Sequence, residues 1–221
     1  MTLNPYALLN LVTYFVALFA PSLLTVMFKL DAGQASTLTI IFYVIGAALM
    51  IYFVPKLNED LVVEKKSTQT KSSKAIYEGI IGIAIVTAVQ IGANLIEAAL
   101  TGGLQGSENT QGILDVIQQN FAFILLVSIA GPIMEEIFFR RTLIGFLGNH
   151  FNFWIGAVAS SLLFYLAHQD GHFLLYFTMG MTLALIYRNT GKILTSIIAH
   201  AGMNTLVILI NLIPIWMARY F

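Results

Sequence analysis

Long apolar runs alternate with short polar connections along the chain, and this pattern predicts transmembrane helices. A helix needs about 20 apolar residues to cross the hydrocarbon core of a bilayer. We therefore predict an all-α fold, a polytopic transmembrane helical bundle in which residues 1–221 form a single integral membrane domain. The sequence predicts seven spans, with an eighth left open, at residues 6–28, 36–54, 76–100, 112–141, 152–168, 172–188 and 193–216.

The fourth predicted span is unusually long and contains Gly131-Pro132. Proline lacks the N–H that an inner helical turn requires, so this pair predicts a kink or a break. Residues 142–151 then contain Gly145, Gly148 and Asn149, which are typical helix breakers and predict a turn of the chain.

Composition supports a membrane protein. Hydrophobic residues make up 58% of the chain and charged residues 10%, whereas a soluble domain carries about 25% charged residues. The formal net charge of zero argues against a nucleic-acid-binding surface. The absence of cysteine excludes disulfides, thiolate metal sites and a cysteine nucleophile.

The basic residues predict an orientation in the membrane. The N-terminus lacks the basic region of a cleavable signal peptide, so we interpret the first apolar run as a retained span. Placing the long polar connection 55–74 in the cytoplasm puts nine Lys and Arg residues inside and two, Lys29 and Arg219, outside. This asymmetry predicts an integral membrane protein with a cytoplasmic N-terminus.

Two adjacent carboxylates, Glu135 and Glu136, interrupt an apolar stretch. A charge at the centre of a membrane helix costs about 2.5–3.5 kcal/mol on insertion scales, so such groups need partners or a function. In a helix, Glu136 and Arg140 stand at i and i+4 in the favoured acid-before-base order. Glu135 is turned about 100° away. One carboxylate is thus predicted to be ion-paired while the other faces something else.

Further polar groups lie in later spans. His168 ends the fifth span, and His200 and Asn204 share one face of the seventh at i and i+4. We interpret His150 and His172, which fall in connections, as interfacial. This distribution favours one shared functional site over unrelated structural bridges. Its candidate residues are Glu135, Glu136, Arg140, His168, His200 and Asn204.

These residue types fit the addition of water to a carbonyl group. A desolvated carboxylate accepts a proton more readily than one in water, which suits a general base, and a neutral imidazole beside it can hold the same water. A second histidine and an asparagine amide can donate to a developing oxyanion. We therefore expect peptide-bond hydrolysis. No serine or threonine is an evident nucleophile, although Ser160 and Ser161 are near His168 in sequence.

Three spacings carry a family resemblance: Glu135-Glu136-x-x-x-Arg140, Phe164-x-x-x-His168 and His200-x-x-x-Asn204. They resemble, in order, the motifs of the CAAX-protease and bacteriocin-processing (CPBP, or Abi) intramembrane proteases. This is the family of the Ras-converting enzyme, the type II CAAX prenyl endopeptidase. The resemblance covers about residues 121–205. Arg141 stands where many members have glycine, and we expect no functional consequence.

The resemblance implies that Glu135 and His168 activate water, and that His200 and Asn204 stabilise the oxyanion. Glu136 and Arg140 would orient the site. The family has been described both as glutamate proteases and as metalloproteases. Glu135, His168 and His200 do make a His₂Glu set like that of catalytic zinc, but the His-Glu-x-x-His pair of zincins is absent. We expect metal-free catalysis, with zinc as the alternative.

Two other functions compete with proteolysis. A transporter or proton relay also uses buried Glu and His, but it does not explain the His-Asn pair or the full motif set. A non-catalytic bacteriocin-immunity or scaffold protein could use the same fold. For a protease, the family implies a membrane-associated substrate within the lipid bilayer. This is either a lipidated protein with a prenylated C-terminal tail or, in a bacterial cell membrane, a short precursor peptide.

One geometric difficulty accompanies these predictions. With straight helices rising about 1.5 Å per residue, Glu135 falls near mid-depth or on the cytoplasmic side, and His168 falls towards the outer end of its span. The site closes only if the fourth helix breaks at Gly131-Pro132, the fifth is tilted, or the predicted boundaries are shifted.

Overall fold

A computed structural model describes residues 5–57, 61–103 and 106–220, and these residues form eight helices and no strands. The predicted all-helical membrane bundle is confirmed. Helix α5 runs without interruption over residues 123–150. The other helices are α1 Pro5–Phe28, α2 Ala32–Phe53, α3 Ser72–Thr101, α4 Glu108–Gln119, α6 Phe153–His168, α7 Phe173–Thr190 and α8 Ile193–Tyr220. Two short 3₁₀ turns, Val54–Lys56 and Val62–Glu64, lie in the connection between α2 and α3.

Four helices in the described part of the chain are long and apolar enough to cross a bilayer: α1, α2, α3 and the Ile193–Pro214 part of α8. Helix α6 is apolar but has only 16 residues. Large hydrophobic side chains such as Phe19, Ile45 and Leu95 point outward from α1, α2 and α3. Such continuous apolar surface is typical of lipid contact. The count of seven crossings stays a prediction.

The predicted fourth span, residues 112–141, is wrong in its bounds. Helix α4 ends at Gln119, the chain turns over 120–122, and α5 begins at Phe123. Helix α4 is amphipathic, and its buried residues Leu114 and Ile117 pack against α8. Counting apolar residues therefore merged an amphipathic helix with a membrane helix. Helix α5 also continues to His150, so Glu135 lies near its middle. Glu135 and His168 are then each 15 residues from the turn between α5 and α6, which removes the predicted depth mismatch.

Of the kink or break predicted at Gly131-Pro132, the break is absent, because α5 is helical on both sides of the pair. The kink stays a prediction. Helix α5 contains two π-helical segments, Leu126–Ala130 and Glu136–Ile144, separated by the α-helical segment Gly131–Glu135. In the first segment the Gly131 N–H donates to the Leu126 carbonyl, five residues back. This wider turn accommodates the Pro132 ring, which would clash in an ordinary α-helical turn.

The turn predicted at 142–151 is displaced. The helix continues to His150 and the chain reverses only at residues 151–152. The presumed breakers instead allow packing of the α2–α3 connection against α5. A Cβ atom at Gly145 would lie 2.8 Å from Leu61 Cδ1, and Asn149 Oδ1 accepts a 2.8 Å hydrogen bond from the Val62 N–H.

Arg141, the departure from the family pattern, stabilises this same connection. Its Nε lies 3.1 Å from Glu64 Oε1 and its Nη2 lies 3.4 Å from Glu64 Oε2. The Tyr187 hydroxyl donates to Glu64 Oε1 at 2.8 Å. Arg141 therefore has a structural partner away from the candidate site, and its charge is matched inside the protein.

Helices α3 and α8 approach closely at glycine positions. Gly79 faces Ile198, and a Cβ atom at Gly82 would lie 2.8 Å from Ala199 Cβ. The later residue on α3 contacts the later residue on α8, so the two helices run parallel. The close approach holds His200, the neighbour of Ala199, in the centre of the bundle.

Candidate active site

Glu136 and Arg140 form an ion pair in the bundle interior. Both side chains are 0% exposed, and Arg140 Nε lies 3.5 Å from Glu136 Oε2. The guanidinium also lies over the Phe164 ring, 4.7 Å from its centroid. The predicted i,i+4 pair is thus present in the structure. Because an unpaired buried charge is strongly destabilising, each group depends on the other.

The His200 imidazole lies between the carboxylates of Glu135 and Glu136. Its Nδ1–H donates to Glu136 Oε1 at 2.9 Å, which fixes the orientation of a ring that is 1% exposed. Its Nε2 faces Glu135 Oε2 at 3.7 Å. This distance exceeds that of a direct hydrogen bond. The Glu135 carboxylate and His200 Nε2 therefore face each other without a direct bond.

Glu135 faces a cavity of about 600 Å³. Its side chain is 26% exposed, and the same cavity is lined by His168, His200 and Asn204. Helices α5, α6 and α8 therefore bring four of the six candidate side chains to one space. Glu136 and Arg140 lie behind it, so the two adjacent carboxylates have the different surroundings that the sequence predicts.

The surroundings of His168 fix both its ring plane and its tautomer. Its Nδ1–H donates to the Phe164 carbonyl at 2.7 Å, which leaves the Nε2 lone pair available in the neutral ring. The imidazole stacks on Tyr176 with a centroid distance of 4.0 Å and lies 4.4 Å from the Phe164 ring. His168 is thus held as a hydrogen-bond acceptor at Nε2.

Asp170 links the start of α4 to the aromatic support of His168. Its Oδ2 accepts hydrogen bonds from Ser107 Oγ at 2.6 Å and Tyr176 OH at 2.8 Å, and its Oδ1 accepts one from the Asn109 N–H at 3.2 Å. Partial burial opposes ionisation, but these hydrogen bonds outweigh it and hold the pKa of Asp170 below its usual value. The carboxylate therefore ties α4 and Tyr176 together.

Asn204 has a structural role as well as a place in the cavity wall. Its Nδ2 donates to the Val127 carbonyl at 3.1 Å. In the five-residue spacing of this π segment, the donor for that carbonyl would be residue 132, which is a proline and has no N–H. Asn204 supplies the missing donor. Its second N–H is available for a group in the cavity.

Comparison with known proteins identifies relatives of this arrangement. A family model described as type II CAAX prenyl endopeptidase Rce1-like matches residues 117–206. The chain is 38% identical to the putative membrane peptidase YdiL of Bacillus subtilis, over 83% of this chain and 73% of that protein. It is 30% identical to the membrane-embedded CAAX protease MroQ of Staphylococcus aureus, over 94% and 89% of the two chains. The chain belongs to the Rce1-like family.

The resemblance predicted from the three motifs is therefore confirmed, and this Rce1-like chain belongs to a family of membrane proteases. The UPF0177 protein YbdI of Lactococcus lactis is 33% identical over 42% of the chain. No solved structure gives a significant match. The matched family region contains all six candidate residues, from Glu135 to Asn204.

The remaining histidines of the Rce1-like chain lie outside the cavity wall. The exposed His150 bonds through Nδ1 to the Phe146 carbonyl at 2.8 Å. His172 Nδ1 lies 2.7 Å from Glu97 Oε2, in the connection before α7. Both have partners outside the cavity wall, and their interfacial role stays a prediction.

Ser160 and Ser161 have structural hydrogen bonds. The buried Ser160 hydroxyl donates to the Phe139 carbonyl at 2.8 Å, and the Ser161 hydroxyl donates to the Ala157 carbonyl at 2.7 Å. Neither serine contributes to the cavity wall described above. Their surroundings do not provide the adjacent base that a serine nucleophile requires.

Several cavity residues were missed by reasoning from the sequence: Tyr14, Tyr43, Gln90, Asn94 and Tyr176. The tyrosines gave no signal, because aromatic residues are common in membrane proteins. Two amides at i and i+4 in the apolar third span were a readable signal, since they mark one polar face of an otherwise apolar helix.

The arrangement does not fit a three-ligand zinc site. Among the residues that the structure describes, no three His, Asp or Glu side chains are grouped so that they could hold a metal ion. Glu135 and His200 approach each other, but His168 does not complete a set with them as the side chains stand. The described residues therefore do not support zinc at the His₂Glu set considered from the sequence.

Proposed function

We propose that this Rce1-like chain is an endopeptidase that hydrolyses a peptide bond within the membrane. The substrate is a membrane-associated peptide or a lipidated protein. The observation that supports this function is the convergence of Glu135, His168, His200 and Asn204 on one cavity in an apolar bundle. Buried polar groups in membrane proteins commonly mark functional sites.

In the proposed first step, water is held between the Glu135 carboxylate and His168 Nε2. Glu135 accepts a proton as the water oxygen forms a bond to the substrate carbonyl carbon, and the carbonyl π electrons move to its oxygen. His168 suits the supporting role because its Nδ1–H is committed to the Phe164 carbonyl. Its Nε2 can therefore accept the second hydrogen of the water.

In the same proposal, His200 and Asn204 donate to the resulting oxyanion. The Glu136 carboxylate accepts the Nδ1–H of His200, and the proposal requires a second proton at Nε2, which donates to the oxyanion. Asn204 uses the N–H that is not bonded to Val127. When the tetrahedral intermediate collapses, the C–N bond breaks and the proton held by Glu135 passes to the leaving amine.

We also propose that the N-terminus is cytoplasmic and that the protein resides in a bacterial cell membrane. The distribution of Lys and Arg supports the orientation, and the bacterial origin of the named relatives supports the location. Because the chain contains no cysteine, single cysteines can be introduced cleanly. A K65C variant should react with an impermeant maleimide only after cells are opened, and an E108C variant should react in intact cells.

The function is tested by comparing native protein with a Glu135→Gln variant in cell membranes. Mass spectrometry should find peptides that accumulate uncut with the variant and disappear with the native chain. Equal peptide profiles would contradict proteolysis. Substrate-dependent proton flux without cleaved product would indicate a transporter, and undiminished bacteriocin protection by the variant would indicate an immunity protein.

The metal-free mechanism has a separate test. Cleavage by purified protein should survive a strong chelator, and elemental analysis should find far less than one zinc per chain. Loss of cleavage that added zinc restores would overturn the metal-free mechanism while leaving endopeptidase activity intact.

A further inference from the structure

The end of the cavity away from Glu135 is lined by carboxamides rather than charges. Among the described lining residues, Glu135 is the single Asp, Glu, Lys or Arg side chain. The carboxamides at this end come from three helices: Gln90 and Asn94 of α3, Asn109 and Gln111 of α4, and Asn211 of α8.

Gln90 and Asn94 are the least explained members of this group. They lie at i and i+4 on α3, which is long and apolar enough to cross a bilayer. Polar side chains in membrane helices commonly hydrogen-bond to a neighbouring helix. The structure gives neither carboxamide such a partner within the described chain. Helix packing therefore does not account for these two amides.

The positions of Gln90 and Asn94 along α3 give their distance from the level of His200 in the bundle. Gly82 of α3 packs against Ala199, the neighbour of His200. At a rise of about 1.5 Å per residue, Gln90 and Asn94 lie about 12 and 18 Å further along the helix. An extended polypeptide rises about 3.3 Å per residue, so about four to five substrate residues span this distance.

The spacing within the pair also matches an extended chain. One helical turn separates the two carboxamides by about 6 Å, and an extended chain presents peptide groups on the same side about every 7 Å. A carboxamide donates and accepts hydrogen bonds, as a peptide group does. A lipid tail would leave both amides unsatisfied. The nearby Asp170 carboxylate is already bonded to Ser107, Asn109 and Tyr176, and the described lining residues at this end offer no charged partner to a charged side chain.

We propose that Gln90 and Asn94 form a subsite that binds the main chain of an extended, uncharged stretch of polypeptide substrate. This stretch lies about four to five residues from the bond that is cut. The inference rests on the proposed endopeptidase function and adds that part of the bound substrate is a peptide rather than a lipid chain.

The test uses native protein in liposomes with two degenerate libraries of quenched peptides made from alanine, serine, leucine and valine. One library is about twelve residues long and the other about four, so only the longer one reaches the pair. The variants are Q90L, N94L and Q90L/N94L. The matched control is T87V, because the Thr87 hydroxyl on the same helix bonds to its own backbone at Ile83.

For the long library, the double variant should raise KM by roughly five- to a hundredfold, the loss expected for two hydrogen bonds. Its kcat should stay within about twofold, because interactions made equally in the ground and transition states affect KM alone. Cleavage of the short library should be equal for the native chain, the double variant and T87V. Thermal unfolding in detergent checks that all variants are folded.

Unchanged KM on the long library would overturn the subsite. An equal loss on both libraries would also overturn it, because the amides would then support the catalytic centre itself. If native protein cuts neither library and matches Glu135→Gln, the endopeptidase function fails together with the subsite.

Discussion

The two neighbouring carboxylates of α5 have opposite surroundings. Glu136 is fully buried, and its oxygens face Arg140 and His200. Glu135 is 26% exposed and faces the cavity, with His200 Nε2 at 3.7 Å. The dry side of the helix, where Glu136 and Arg140 lie, fixes charges and ring orientations. The cavity side presents a carboxylate to the open space, as the proposed proton transfer requires.

The same division applies to the side chains around them. On the dry side, the groups bond to each other, so removal of one leaves another uncompensated. On the cavity side, His168 and Asn204 bond to the backbone carbonyls of Phe164 and Val127. Their orientation therefore survives the loss of Glu135. We expect substitutions on the cavity side to lower activity and substitutions on the dry side to lower stability.

The largest expected effect is on the cavity side. Glu135→Gln should lower turnover by about 10²–10⁴-fold, the contribution typical of a general base. Its unfolding temperature in detergent should stay close to that of the native chain, because the side chain is partly exposed and makes no hydrogen bond within the described part of the chain. Retained turnover would remove Glu135 from the chemistry.

The dry side should respond with a loss of stability. Glu136→Ala leaves the Arg140 charge buried without its carboxylate, which typically costs about 3–5 kcal/mol. Thermal or SDS-induced unfolding measures this loss. The double variant E136L/R140L should recover most of the stability but not the activity, because His200 still lacks its acceptor. If Glu136→Ala is as stable as the native chain, the buried Arg140 charge does not depend on the Glu136 carboxylate.

Replacement of Asn204 is expected to affect both activity and stability. Asn204→Ala should lower kcat by about 10²–10³-fold if its free N–H serves the oxyanion. It should also cost about 1–3 kcal/mol of stability, because the Val127 carbonyl loses its donor. A loss of stability with unchanged kcat would assign Asn204 to the backbone alone.

The smallest expected effect concerns the link between α4 and Tyr176. The depressed pKa of Asp170 means that its ionised form stabilises the fold above its unfolded value of about 3.9. This contribution should be lost as the pH falls through the lower folded pKa. The protection of α4 against hydrogen exchange, relative to the intrinsic exchange rate at each pH, should therefore fall at low pH in the native chain and show less pH dependence in Asp170→Asn. Identical pH profiles would contradict the link.

The sequence predicted those features that depend on short-range spacing. The i,i+4 relation of Glu136 and Arg140 required only helical geometry, and the three motifs identified the family. The bounds of α4 and α5 were missed because hydropathy over a window does not separate an amphipathic helix from the apolar helix after it. The continuity through Pro132 was missed because it depends on a π turn and on Asn204, which lies 77 residues away from Val127.

The two π segments of α5 make the register of the active helix sensitive to chain length. Each wide turn accommodates residues that a regular α-helix would place differently. If Leu126–Ala130 returned to α spacing without losing a residue, everything after it would rotate by about 100°. Glu135 would then leave the cavity while every motif residue was still present. In natural relatives of this chain, we therefore expect the wide turn to be kept wherever this stretch keeps its length, and to be lost only together with one residue.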